Sequence, residues 1–267
     1  TTLKCYKLQA ELQLNRSKRK RGRLYKEAEK LWKVGHNQPK ECIPLFNILE
    51  DSGRISIQDR WDRIDLAMEK GNLSLASFLA RDFNTRDKRL LDLWKKVHSK
   101  PEDLFRTRQV KRDTQTIRKI IQHGIKRLAR RDAERARTQW IKYSRRYSFS
   151  TDEKGAIERY IALRAAYQLH PDASEWLQNV GRKWVNGGVR EWRVRTALRG
   201  EDWETIRKSL RQLKPYERKE VKWRYWMARA DEKLGKESSA RTAFEEIAEQ
   251  TNYYGFLAAD RLRLPYS

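Results

Sequence analysis

The sequence predicts an all-α chain, an irregular α-superhelix or solenoid of antiparallel helix pairs, and three observations carry that expectation. Helix breakers are sparse, with twelve Gly and six Pro among 267 residues. Apolar residues recur at helical spacing through the last third of the chain. Two polar links carry Gly200 and Gly235, 35 residues apart, close to the roughly 34-residue period of tetratricopeptide-like helix pairs. A chain of this length is long for one compact core but ordinary for a core that grows along one axis, so residues 1–267 are expected to form a single helical domain.

The last third sets the pattern. Trp223, Trp226, Met227, Ala230 and Leu234 share one helix face, and Gly235 supplies the stop. On this reading Trp223 and Trp226 belong to the core, while Tyr225 lies off the stripe. Ser238 or Ser239 is placed to cap a second helix, which buries Ala240, Ala243, Phe244, Ile247 and Ala248. A third helix starts near Asn252, buries Tyr254, Leu257, Ala258 and Leu262, and stops at Pro265. The Gly-then-polar-cap punctuation also occurs at Gly71-Asn72. The middle of the chain shows the period poorly, hence an irregular array. From Arg106 to Arg146, basic residues surround Ile117, Ile120, Ile121, Ile125 and Leu128, which reads as amphipathic helix with a cationic outer face.

Charge is the second theme. Charged residues make up 36% of the chain and the formal net charge is +25, a field that attracts polyanions: nucleic acid, acidic lipid or an acidic cell-wall polymer. Ten Trp supply bulk for a core, so the charge does not imply disorder. No run of eighteen apolar residues occurs, which excludes a transmembrane helix. The chain opens at Thr1-Thr2 without an apolar signal region, as expected of a mature or excised fragment. The run from Asn15 to Gly22 reads as a charged turn between two helices. It is either a solvated loop or a polyanion contact made by Arg16, Lys18, Arg19, Lys20 and Arg21.

Little in the sequence carries chemistry. Cys5 and Cys42 are too few for a structural zinc site, and His36, His98, His123 and His170 are scattered without ligand spacing, so no metal is expected. The two thiols are either buried and free or joined. Carboxylates are interleaved with Arg and Lys on helix exteriors, which keeps them ionised. A nucleophile elbow, a papain-like cysteine signature and a phosphate-binding glycine loop are all missing, so no catalytic residue is assigned.

Five stretches, in order, resemble the superhelical region of soluble lytic murein transglycosylases, periplasmic enzymes that cut the glycan of peptidoglycan. The first holds Cys5, Ala28, Leu31-Trp32, Gly35, Gln38-Pro39, Cys42 and Leu45-Phe46. Trp61, Arg63, Ala67-Met68 and Gly71-Asn72 follow, then Arg131 to Arg137, Trp223 to Ala230, and Tyr253 to Leu262. The resemblance implies a horseshoe-like scaffold and a Cys5–Cys42 disulfide. It further implies a periplasmic address and peptidoglycan as partner, together with the linker and lysozyme-like catalytic domains of a parent protein. The family's reaction is non-hydrolytic cleavage between MurNAc and GlcNAc to a 1,6-anhydro product, with no cofactor. Its catalytic Glu-Ser and downstream Gly-Leu-Met-Gln are not matched: Glu237-Ser238 is the only Glu-Ser pair, it falls in a predicted inter-helix turn, and Glu237 reads as a surface cap. The chain stops at Ser267, about where the linker would begin. The competing reading is a cytosolic helical-repeat protein that binds nucleic acid, for which charge and interleaved aromatics are equally natural. On the family reading, nucleic acid binds only non-specifically.

Overall fold

The structure, a computed structural model, describes residues 1–266 and holds sixteen α-helices and three short 3-10 turns, with no strand among the described residues. The chain falls into two compact units, Thr1–Arg127 and Leu128–Ser267.

The first unit begins with α1 (Thr2–Leu14) and α2 (Lys18–Trp32), then a 3-10 turn (Lys40–Cys42) that leads into α3 (Ile43–Asp51). After these come α4 (Ile57–Glu69), α5 (Leu73–Leu79), α6 (Thr85–Ser99), a 3-10 turn at Pro101–Phe105, and α7 (Gln115–Ala129), whose last residues cross the unit boundary. Stripes at i, i+3, i+7 are buried on α1 (Cys5, Leu8 and Leu12), α2 (Tyr25, Ala28 and Trp32) and α4 (Trp61, Ile64 and Met68). An aromatic seam ties the later helices together, with Trp61 5.0 Å from Phe83 and 6.3 Å from Trp94 between ring centroids.

The second unit holds α8 (Ala133–Arg146), α9 (Thr151–Tyr167), α10 (Ala173–Gln178), a 3-10 turn (Arg182–Trp184) and α11 (Gly187–Arg199). It ends with α12 (Trp203–Arg211), α13 (Pro215–Arg218), α14 (Val221–Lys233), α15 (Glu237–Ala248) and α16 (Tyr253–Leu262). Here each helix packs mainly on its neighbours in sequence, α8 on α9, α11 on α12, α14 on α15 and α15 on α16. Gln168 staples the α7–α8 link by donating to the Ala129 carbonyl at 2.8 Å and accepting from the Ala133 amide at 3.0 Å. Buried Arg193 donates to the carbonyls of Leu177, Gln178 and Val180 and to Gln212, satisfying the open end of α10.

Helix starts follow their capping chemistry. Ser56–Asp59 and Ser150–Glu153 form reciprocal capping boxes, and Asn72, Asn84, Asp132, Asn186, Asp202 and Asn252 each accept a first-turn amide. Helix ends share a second device. Gly71 and Gly235 take positive φ, and the next amide reaches back to Ala67 and Asp231 respectively, the Schellman closure. The same closure follows α9 and α11, but there Leu169 and Glu201 occupy the left-handed position, at φ 57° and 50°.

Several expectations are corrected. Gly200 ends α11 and Asp202 caps α12, as expected, while the left-handed position falls one residue later, on Glu201, with the Asp202 amide reaching back to Ala197. Tyr225 is 7% exposed rather than on an open face. The reason is that α14 feeds two clusters: Trp223 and Ala230 pack with Val194, Ile206 and Leu210, while Tyr225 and Ala228 pack with Phe244 and Ile247. A helix covered on two sides needs an apolar arc wider than one stripe. Neither Ser238 nor Ser239 caps α15, which starts at Glu237 after Lys236. The 106–146 stretch is not one helix: α7 begins at Gln115 and a break before Asp132 separates it from α8. Its isoleucines are buried as expected.

Candidate functional site

The polybasic run is mostly helix, not turn. Only Asn15 to Ser17 connect α1 and α2, and Lys18-Arg19-Lys20-Arg21 form the first turn of α2. Lys and Arg are good helix formers, and packing of Tyr25, Ala28 and Trp32 further along fixes the helix. Four cations at a helix N-terminus oppose the macrodipole, and the capping residue Ser17 makes no side-chain bond there. Arg21 is engaged: it donates to the Leu12 carbonyl at 3.0 Å and to the Tyr25 hydroxyl at 2.7 Å, closing the end of α1. Arg16, Lys18, Arg19 and Lys20 are exposed and make no ion pair among the described residues. Nearby, Cys5 and Cys42 form a disulfide that pins α1 to the 3-10 turn, supported by Gln9 donating to the Glu41 carbonyl at 2.9 Å.

A second feature lies where α2, α3, α4 and α5 meet. The Gln38 side chain donates to the Leu31 carbonyl at 2.7 Å and turns the chain after α2. Gly35 lets that turn press on α4: a Cβ there would sit 2.3 Å from the Leu66 carbonyl oxygen. The result is a cleft of about 430 Å³ whose lining includes Pro39, Phe46, Glu50, Arg60, Arg63 and Phe78. Arg63 is 4% exposed, and its guanidinium lies 4.7 Å from the Trp32 ring and 5.7 Å from that of Phe46. Burial lowers its pKa to about 10, against the pull of Glu50. Glu50 itself is paired with Arg60 at 3.3 Å and Arg81 at 4.0 Å. Sequence reasoning found Trp32, Gln38, Pro39 and Arg63 as motif residues but not the cleft. The available signal was a charged residue at 63, four before Ala67 and flanking the stripe of Trp61, Ile64 and Met68.

Many of the carboxylates are tied into ion pairs. Glu217 takes a two-pronged contact from Arg190, at 2.8 and 2.7 Å, which lowers its pKa. Arg207 holds Asp231 at 2.5 Å. One expectation fails here: Asp65 does have a reason for a raised pKa, since burial lifts it more than the neighbouring Lys119 at 3.3 Å lowers it. That lysine also holds Asp62 at 2.7 Å, so Asp65 belongs to a three-membered ion pair. Glu237 is exposed at the start of α15. The histidines are not all scattered: His98 Nδ1 lies 3.1 Å from His123 Nε2. No group of three or more metal-ligating side chains occurs among the described residues, and no described helix is long and apolar enough to cross a membrane.

Fold, disulfide and charge thus define an all-α array of sequentially packed helix pairs, stapled at its N-terminus and strongly cationic. No family model matches the chain. It is 26% identical over 245 residues to the soluble lytic murein transglycosylase of Escherichia coli, covering 90% of this chain and 37% of that protein. Among solved structures, an inactive mutant of the lytic transglycosylase Slt from Pseudomonas aeruginosa superposes with a TM-score of 0.88 at 32% identity, over 99% of this chain and 42% of that one. The 70-kDa soluble lytic transglycosylase of Escherichia coli gives a TM-score of 0.72 at 23% identity, over 100% of this chain and 43% of that one. The chain is homologous to the superhelical region of soluble lytic murein transglycosylases, and it spans little more than a third of the length of the curated relatives it matches.

Proposed function

We propose that the chain is the scaffold region of a periplasmic lytic transglycosylase, which binds the cell-wall polymer and positions it for cleavage to 1,6-anhydro products by a catalytic domain of the parent protein. Homology across nine-tenths of the chain supports this reading. The observation that carries it furthest is the conjunction of that homology with a formal net charge of +25, which suits the free carboxylates of peptidoglycan stem peptides. Arg16, Lys18, Arg19 and Lys20 are the proposed first contacts, since they are exposed and uncommitted. The disulfide fits an oxidising compartment.

Pull-down with purified sacculi tests the reading. Retention should fall as salt rises from about 50 to 300 mM, where the Debye length drops from roughly 14 to 6 Å. Replacing Arg16, Lys18, Arg19 and Lys20 together by Gln should weaken it further. Absence of retention at low salt would contradict the proposal.

A further inference from the structure

We infer that the cleft between α2, α3, α4 and α5 is a pocket for a short peptide bearing a free carboxylate, anchored by the guanidinium of Arg63. The site stands on geometry; only the choice of peptide rests on the cell-wall reading. Arg63 is 4% exposed, and its one hydrogen bond runs from Nε to the Val34 carbonyl at 3.3 Å. Its two terminal nitrogens have no hydrogen-bond or ion-pair partner among the described residues. They are not among the side-chain atoms sealed from solvent, and the residue lines the cleft. A buried cation without a paired anion is costly, and a ligand carboxylate on the two terminal nitrogens removes that cost in the fork geometry guanidinium favours.

The walls decide between ligand classes. The lining carboxylate, Glu50, is held by Arg60 and Arg81, so it does not neutralise the anchor directly. A sugar needs an open aromatic face, but the Trp32 ring carries Arg63 and the Phe78 ring carries Arg81 at 4.5 Å. What remains are apolar edges of Phe46, Pro39 and Leu79 for small side chains, and the amides of Asn37 and Asn47 for peptide groups. A volume of about 430 Å³ falls in the range of small-ligand sites and suits a short peptide end rather than a glycan strand.

The test titrates N-acetyl-D-alanyl-D-alanine and its C-terminal amide into the intact chain by calorimetry or NMR. The acid should bind at least about tenfold more tightly than the amide, a difference of roughly 1.4 kcal/mol. Arg63→Lys, which keeps the charge but loses the fork, should cost the acid a similar factor. Should that variant not fold, Asn47→Ala serves instead: Asn47 is exposed on α3, so the fold should stand while loss of its amide weakens acid binding several-fold. Equal binding of acid and amide, or no binding of the acid, would overturn the pocket. Sacculi retention is measured in parallel. A chain that sacculi retain but the dipeptide does not bind loses the pocket and keeps the scaffold reading; the reverse outcome supports the pocket and overturns the scaffold reading.

Discussion

Trp184 lies against the backbone of Gly155 so closely that a Cβ on residue 155 would stand 2.2 Å from the indole ring. Gly181 approaches the same ring from the other chain segment, with a Cβ at 2.7 Å, so the Trp fills a slot made by two residues without side chains. Gly155→Ala should therefore destabilise the chain by about 1–3 kcal/mol despite the better helix propensity of Ala. Gly22, also inside a helix, has open space where a Cβ would sit, with nothing within 4 Å, and Gly22→Ala should stabilise by about 0.5–1 kcal/mol. Urea melts of the two variants should move in opposite directions; a shift of Gly155→Ala to higher midpoint would refute the packing argument.

Leu169 ends α9 in the left-handed conformation at φ 57° and is 63% exposed. Its side chain contributes little burial there, while a Cβ at positive φ is costly. Leu169→Gly should raise stability by about 0.5–1 kcal/mol, the entropy of the more flexible unfolded chain offsetting part of the relieved strain. Thermal denaturation that shows a loss would mean the leucine packs in a way its exposure conceals.

The Cys5–Cys42 bond closes a separation of 37 residues. On the chain-entropy model its reduction should cost about 4 kcal/mol. Denatured, unreduced protein should show no free thiol. Reduction should loosen α1 and the 3-10 turn first, read as faster amide exchange there than in α14 to α16. Uniform loosening of both units would contradict a local staple.

Asp59 gives the pH dependence its sign. Burial raises its pKa, but hydrogen bonds from Lys33 and from the side chain and backbone of Ser56 outweigh that and hold it at about 2, below the ordinary 3.8. A depressed carboxyl stabilises the fold above its unfolded pKa and loses that contribution as pH falls from about 4 toward 2. With solvent screening of a partly exposed pair allowed for, the loss is about 1 kcal/mol. Asp59→Asn should flatten stability between pH 4 and 2 by that amount; an unchanged pH profile would show that other carboxylates dominate the acid limb.

What the sequence revealed and what it hid follow from physics. Ile117, Ile120, Ile121, Ile125 and Leu128 were legible because a helix covered on one face writes its period directly into the residue order. Tyr225 was not, because α14 is covered on two sides and its apolar arc no longer has a clean period. Gly71 and Gly235 announce their closures, whereas Leu169 and Glu201 make the same closure without a residue type that signals it. Lys18 to Arg21 carry no apolar period, so the start of α2 was invisible from that run alone. The Arg63 cleft gathers residues from 32 to 81, and only tertiary packing brings them together.

Competition at matched ionic strength tests most directly whether this is a cell-wall scaffold rather than an indiscriminate cationic array. The chain is bound to sacculi and challenged with soluble peptidoglycan fragments or with polyphosphate carrying the same total charge. Peptidoglycan fragments should release it at several-fold lower charge concentration than polyphosphate does, because recognition beyond charge is required of a scaffold for that polymer. Equal release by both would reduce the binding to electrostatics, and tighter, sequence-dependent retention on a nucleic acid would contradict the cell-wall function outright.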